Sequence, residues 1–115
     1  GALDEASAHE RLVRLAVACG LAAADVDRPL DDLSGGQRHR ASLAVVLSLG
    51  AGTVLLDEPT GACDGETAAK VERAVTDACA EFGLSAIWVT HDLAQAERIG
   101  MSVLRCRPVD SDGTA

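Results

Sequence analysis

Large aromatic side chains are almost missing from this 115-residue chain: Phe82 and Trp88 are the only two, and there is no Tyr. Its core therefore has to be built from small aliphatic contacts, and the 48% apolar content, mostly Ala, Leu and Val, is what supplies them. Lysine is scarcer still, with Lys70 alone, flanked by Ala69 and Val71. That excludes from these residues a G-x-x-x-x-G-K-[ST] loop, which would wrap phosphates in backbone N–H groups and close on a lysine. The four cysteines, Cys19, Cys63, Cys79 and Cys106, form no CxxC pair and no Cys/His cluster, so a zinc site of ordinary spacing is excluded. Reduced, mostly buried thiols are the expectation. Positive charge is short as well: 10 Lys and Arg against 18 Asp and Glu give a net charge of -8, which argues against nucleic acid or anionic headgroups as partners. No basic-then-apolar signal segment opens the chain. The longest uncharged run, Ala41 to Leu56, has sixteen residues and is broken by Gly50 and Gly52; a membrane span needs roughly 20. The one Met is Met101 and the first residue is Gly1, so further chain is expected upstream.

What is present reads as one domain or part of one. Residues 3–19 place Leu12, Leu15, Ala16 and Cys19 on one helical face and end at Gly20. Residues 21–32, with Pro29 and four Asp, read as a loop. A second helix is expected to start after Ser34, as its cap, and to run to about Leu49. Thr53 to Leu56 is a short apolar run of the kind that forms a strand buried on both faces. Asp64 can cap a third helix with apolar positions Ala68, Val71, Val75, Ala78 and Phe82, ended by Gly83. Residues 85–90 read as another buried strand, 92–99 as a short helix and 101–105 as a last strand. Strands alternating with helices imply an α/β fold with a parallel sheet.

Three segments carry chemistry. In Leu33-Ser34-Gly35-Gly36-Gln37 two glycines precede a helix, so backbone N–H groups and a hydroxyl can approach a phosphate at the positive end of the helix dipole. Taken alone, a glycine-rich capping loop explains it better. In Asp57-Glu58-Pro59-Thr60 two carboxylates end a strand, where open α/β sheets bind ligands. Asp57 suits Mg²⁺, and Glu58 suits orienting or deprotonating a water; a solvated turn is the alternative. His91 ends the next strand and would stand beside these acids if the strands are neighbours, able to donate to a terminal phosphate. A lone histidine there is more often structural.

In this order, however, the segments resemble the ATP-binding cassette (ABC) family: a signature at residues 33–37 followed by Arg38-His39-Arg40, a Walker B strand through Glu58, a D-loop at 61–64 and a switch histidine at His91. The resemblance covers nearly the whole chain. It implies the C-terminal half of a nucleotide-binding domain over residues 1–106, with a helical signature part at 1–50, a Walker B and switch-histidine part at 51–106, and a polar tail at 107–115. It further implies a partial P-loop NTPase fold, a short mostly parallel sheet with flanking helices plus the end of the helical signature subdomain. Two positions depart from the family pattern: Cys63 stands where the D-loop usually has Leu, and Val45 or Val46 where the helix after the signature usually has Arg.

On this resemblance Ser34, Gly35, Gly36 and Gln37 would contact the γ-phosphate of ATP held by the opposite subunit of a head-to-tail dimer. Asp57 would serve Mg²⁺, Glu58 would be the catalytic base, His91 would sense the γ-phosphate, and Asp64 would couple the two sites. The implied whole is an ABC-type ATPase subunit that hydrolyses ATP to power transport, held at the cytoplasmic face of the membrane by a permease subunit. No nucleic acid is expected as a partner, and this chain by itself is expected to turn over no ATP. Two alternatives stay open: a non-catalytic module presenting its signature to a complete ATPase, and a piece of a DNA-maintenance ATPase. The second predicts a long heptad segment or a zinc insertion before the signature, and residues 1–32 contain neither.

Overall fold

The computed structural model describes residues 4–50, 52–100 and 102–106. Helix α1, Glu5–Ala18, begins where the Asp4 carboxylate accepts the Ser7 N–H at 2.7 Å. This satisfies one of the donors that a first helical turn leaves open. The chain leaves the helix at Gly20, whose φ of 92° lies where a side chain would be strained. The expected loop over 21–32 contains two 3₁₀ turns, Ala23–Asp27 and Leu30–Asp32. Asp25 orders them by accepting from the Ala22 N–H and from Arg28. Such short-range aspartate bonds compete with helix and strand, which is why the composition reads simply as loop.

Helix α2, Gly35–Ser48, starts with a reciprocal capping box. Ser34 Oγ accepts the Gln37 N–H at 3.1 Å, and Gln37 Oε1 accepts the Ser34 N–H at 2.9 Å. Strand β1, Thr53–Asp57, and strand β2, Ser85–Val89, pair in parallel with Thr53 opposite Ser85 and Asp57 opposite Val89. Their crossover is helix α3, Gly65–Phe82, capped by Asp64 through the Thr67 N–H and terminated by Gly83 at φ 70°. Helix α4, Leu93–Ile99, follows β2 and is capped by Asp92. The fold is thus α/β, a short parallel sheet with flanking helices.

The core is aliphatic throughout. Leu15, Ala16 and Cys19 of the first segment meet Leu43, Ala44 and Leu47 of α2 and Val71, Ala74, Val75 and Ala78 of α3. Val54 and Leu56, on one face of β1, join the same cluster. Each fully buried Leu or Val is worth about 1.5–3 kcal/mol over an exposed one, and Leu47 and Val71 are among the side chains sealed completely.

Three expectations are corrected. β1 is covered on one face only and β2 scarcely at all: Leu55 is 70% and Ile87 56% exposed, the two lie opposite one another in register, and on the other face of β2 Trp88 is half-buried and Ala86 exposed. An apolar run shows that both faces can be buried, but the helices here close over a single face, and the sheet formed by the described residues has only two strands. Residues 102–106 form no strand, and Met101 lies outside the described residues. A strand needs a ladder partner for its N–H and C=O groups, and this segment pairs with neither free edge of the two-stranded sheet. The thiols are not mostly buried: Cys19 is, Cys63 and Cys79 are half-buried, and Cys106 is exposed. The polar tail expected at 107–115 lies outside the described residues.

Candidate functional site

The parallel pairing of β1 with β2 carries both C-terminal ends to one edge, and the candidate acids and histidine stand there. The pairing continues one step beyond the strands, with the Glu58 N–H donating to the Val89 carbonyl at 2.8 Å. Glu58 then turns into the left-handed region at φ 47°, unusual for a residue with a side chain. The turn is closed by the Gly61 N–H, which donates to the Glu58 carbonyl at 3.0 Å. A Cβ at Gly61 would lie 3.3 Å from that carbonyl oxygen, so the close approach favours glycine there.

This backbone turn aims the Glu58 carboxylate across to the β2 end. Its Oε1 accepts the His91 backbone N–H at 2.7 Å and lies 3.6 Å from His91 Nε2. The first contact is a charge-assisted hydrogen bond; the second is too long to be one. One carboxylate oxygen is therefore held, while Oε2 has no partner among the described residues. The His91 ring is 96% exposed, so it is free to meet something outside the chain.

Asp57 ends β1 exposed, its carboxylate without a hydrogen bond or ion pair among the described residues. No group of three or more His, Cys, Asp or Glu among these residues could enclose a metal. Mg²⁺ commonly keeps several waters and takes one or two protein carboxylates together with substrate phosphates. The donor set at Asp57 fits such an open site and would not fit a closed cage.

The signature residues stand apart. Ser34, Gly35, Gly36 and Gln37 form the N-terminus of α2 and make no hydrogen bond to Glu58, Asp57 or His91. The first N–H groups of a helix lack intrahelical partners, so those of Gly35 and Gly36 point outward. A Cβ at position 35 would meet nothing within 4 Å, so packing inside this chain does not require glycine there. Asp64 is committed to capping α3, and its bond from the Thr67 N–H holds the carboxyl below its ordinary range.

Sequence reasoning missed a buried polar cluster directly behind this edge. Gln95 of α4 is only 4% exposed. Its Oε1 accepts from Trp88 Nε1 at 3.2 Å, and its Nε2 donates to Thr60 Oγ1 at 2.7 Å and to Glu72 Oε2 at 2.9 Å. Arg98 donates to both Glu72 oxygens, at 3.0 and 2.7 Å. These Arg98 bonds hold the Glu72 carboxyl below the usual carboxylate range, with Gln95 assisting against the opposing effect of burial. The available signal was Glu72 beside Val71 in the apolar stripe of α3, together with Gln95 and Arg98 three apart on α4.

The chain has counterparts among known proteins. The family model described as ABC transporter matches residues 4–61. The chain is 42% identical over 92 residues to the phosphonates import ATP-binding protein PhnC 1 of Rhodopseudomonas palustris, covering 78% of this chain and 33% of that protein. It is 41% identical over 100 residues to the macrolide export ATP-binding/permease protein MacB of Psychrobacter cryohalolentis, covering 84% of this chain and 15% of that protein. The chain thus spans a third or less of these relatives. Among solved structures, the dimeric structure of MJ0796, a bacterial ABC transporter cassette, superposes with a TM-score of 0.71 at 29% identity over 84% of this chain and 42% of that one. A post-hydrolysis state of the same cassette bound to ADP and Pi gives 0.70 at 28% identity, covering 84% of this chain and 41% of that one. The likeness fits a partial P-loop NTPase fold.

Proposed function

The chain belongs to the ABC transporter family, and from that premise we propose that it is the C-terminal part of an ATPase cassette whose intact form binds and hydrolyses ATP to drive solute across a membrane. The observation that carries this reading is the meeting of Glu58 and His91 at the ends of adjacent parallel strands, with one Glu58 oxygen fixed at 2.7 Å and the other free. In this reading Glu58 Oε2 accepts the proton of the water that attacks the terminal phosphorus. The exposed His91 ring donates to a γ-phosphate oxygen. Asp57 would hold Mg²⁺, which neutralises phosphate charge when bound.

The outward N–H groups of Gly35 and Gly36, with Ser34 and Gln37, serve a nucleotide held by a second cassette in a head-to-tail dimer, and Asp64 lies on the path between the two sites. Support comes from the separation of the signature from Glu58 within one chain and from the dimeric cassette that this chain resembles. The driven partner is a permease; the MacB relative is itself named an ATP-binding/permease protein. None of the described helices is long and apolar enough to cross a membrane. On the family resemblance, the reading places the cassette on the cytoplasmic face, docked on that permease.

The test is Glu58→Gln in the intact protein. Removing a general base should lower turnover by about 10²-fold or more, with ATP binding kept because Asp57 and the backbone are untouched. Turnover close to wild type would show that Glu58 is not the base.

A further inference from the structure

We propose that Gln95 is a positioning residue for hydrolysis, a buried amide that locks the His91 segment and the turn after Glu58 into one geometry. The inference rests on the reading of Glu58 as the base. Gln95 sits at the only described point where β2, the turn after β1, α3 and α4 meet through polar side chains: it joins Trp88, Thr60 and Glu72 from its own place on α4. The amide orientation is not arbitrary. An indole N–H can only donate, so Oε1 has to face Trp88 and Nε2 has to face Thr60 and Glu72. Exchanging the two ends would set an NH₂ against the indole donor and an oxygen against the carboxylate.

The cluster flanks the reactive pair on both sides in sequence. Thr60 is two residues after Glu58, Trp88 three before His91, and Gln95 four after it. The Asp92 cap on the Gln95 N–H, at 3.1 Å, ties the backbone directly following His91 to the same unit. The His91 N–H that fixes Glu58 Oε1 is therefore held from a rigid support. A fully satisfied polar network specifies one arrangement where an apolar contact would tolerate several. Glu58 has particular need of such support, because its left-handed backbone persists only if its surroundings over-determine it.

Measured on the intact ATPase, Gln95→Leu should lower kcat about tenfold, as expected for a misplaced reacting group, with KM for ATP changed by less than about twofold. The readout that separates positioning from plain destabilisation is the same substitution in a Glu58→Gln background. There the residual single-turnover rate should fall by less than about twofold, because the group being positioned is gone. Thr60→Val and Trp88→Phe, each removing one bond of the amide, carry the same criteria if Gln95→Leu yields no folded protein. A wild-type kcat for these variants beside an inactive Glu58→Gln overturns the positioning role alone. An equal loss in both backgrounds also overturns it. A Glu58→Gln protein that turns over normally overturns instead the reading of Glu58.

Discussion

The helical body and the sheet end of this chain are held together by different means. Between α1, α2 and α3 each apolar stripe finds another, and Cys19, Leu47 and Val71 lose essentially all contact with solvent. At the sheet end one face of β1 joins that core, the other shows Leu55 and Ile87 to solvent, and α4 is attached through the Gln95 and Glu72 bonds. The body is therefore specified by volume and the sheet end by hydrogen-bond geometry. The body is the better packed of the two, although Val17, Val45 and Leu49 stay exposed on it, whereas the sheet end leaves one apolar face open.

The largest expected difference is at Leu47. Leu47→Ala should destabilise the chain by about 2–5 kcal/mol, because a fully buried leucine leaves a cavity. Leu55→Ala on the open face should cost far less. Urea denaturation followed by far-UV circular dichroism measures both, and equal losses would break the contrast.

Acid should act on the sheet end through Glu72. The folded Glu72 carboxyl is held below its ordinary range, chiefly by Arg98. Its contribution is complete above the ordinary glutamate value of about 4.3 and is lost as pH falls through the lower folded value. Trp88 donates to Gln95 in the same cluster, so its emission should change as pH falls through that value. In Glu72→Gln that change should disappear; its persistence would place the titrating group elsewhere. A smaller effect is expected at the start of α2, where Ser34→Ala removes half of the capping box and should cost about 1 kcal/mol in the same denaturation measurement.

These regions also differed in how far they could be read in advance. The starts of α2 and α3 were legible because Ser34 and Asp64 each bond a backbone N–H three residues on, an interaction contained within one short segment. The meeting of Glu58 and His91 was anticipated only on condition that the two strands were neighbours, and the parallel pairing meets that condition. Gln95 was not legible, since a glutamine on a short helix reads as surface until Trp88, Thr60 and Glu72 arrive from three other segments. Nor was the left-handed Glu58, because nothing in Asp-Glu-Pro-Thr favours that conformation at a residue with a side chain. The apolar runs located both strands but misled on burial, because such a run does not say how many faces the helices will cover, and the strand expected over 101–105 is absent over its described residues, which pair with neither free sheet edge.

The smallest expected effect on stability comes with the sharpest test of the open face. Leu55 and Ile87 lie opposite each other, Val89 is also exposed, and neither outer edge of the two-stranded sheet is paired among the described residues. Surfaces and edges of this kind drive association, so the chain alone should self-associate at micromolar concentrations in sedimentation. Leu55→Lys should change its stability by no more than about 0.5 kcal/mol, as for an ordinary surface site, yet shift it toward monomer. If the rest of an intact cassette lies on this face, the same lysine should sharply reduce the yield of folded cassette, because a buried unpaired ammonium is costly. Should Leu55→Lys prove as harmless there as in the chain alone, the face is a solvent surface in its own right, and the contrast between a packed body and an open-faced sheet no longer holds.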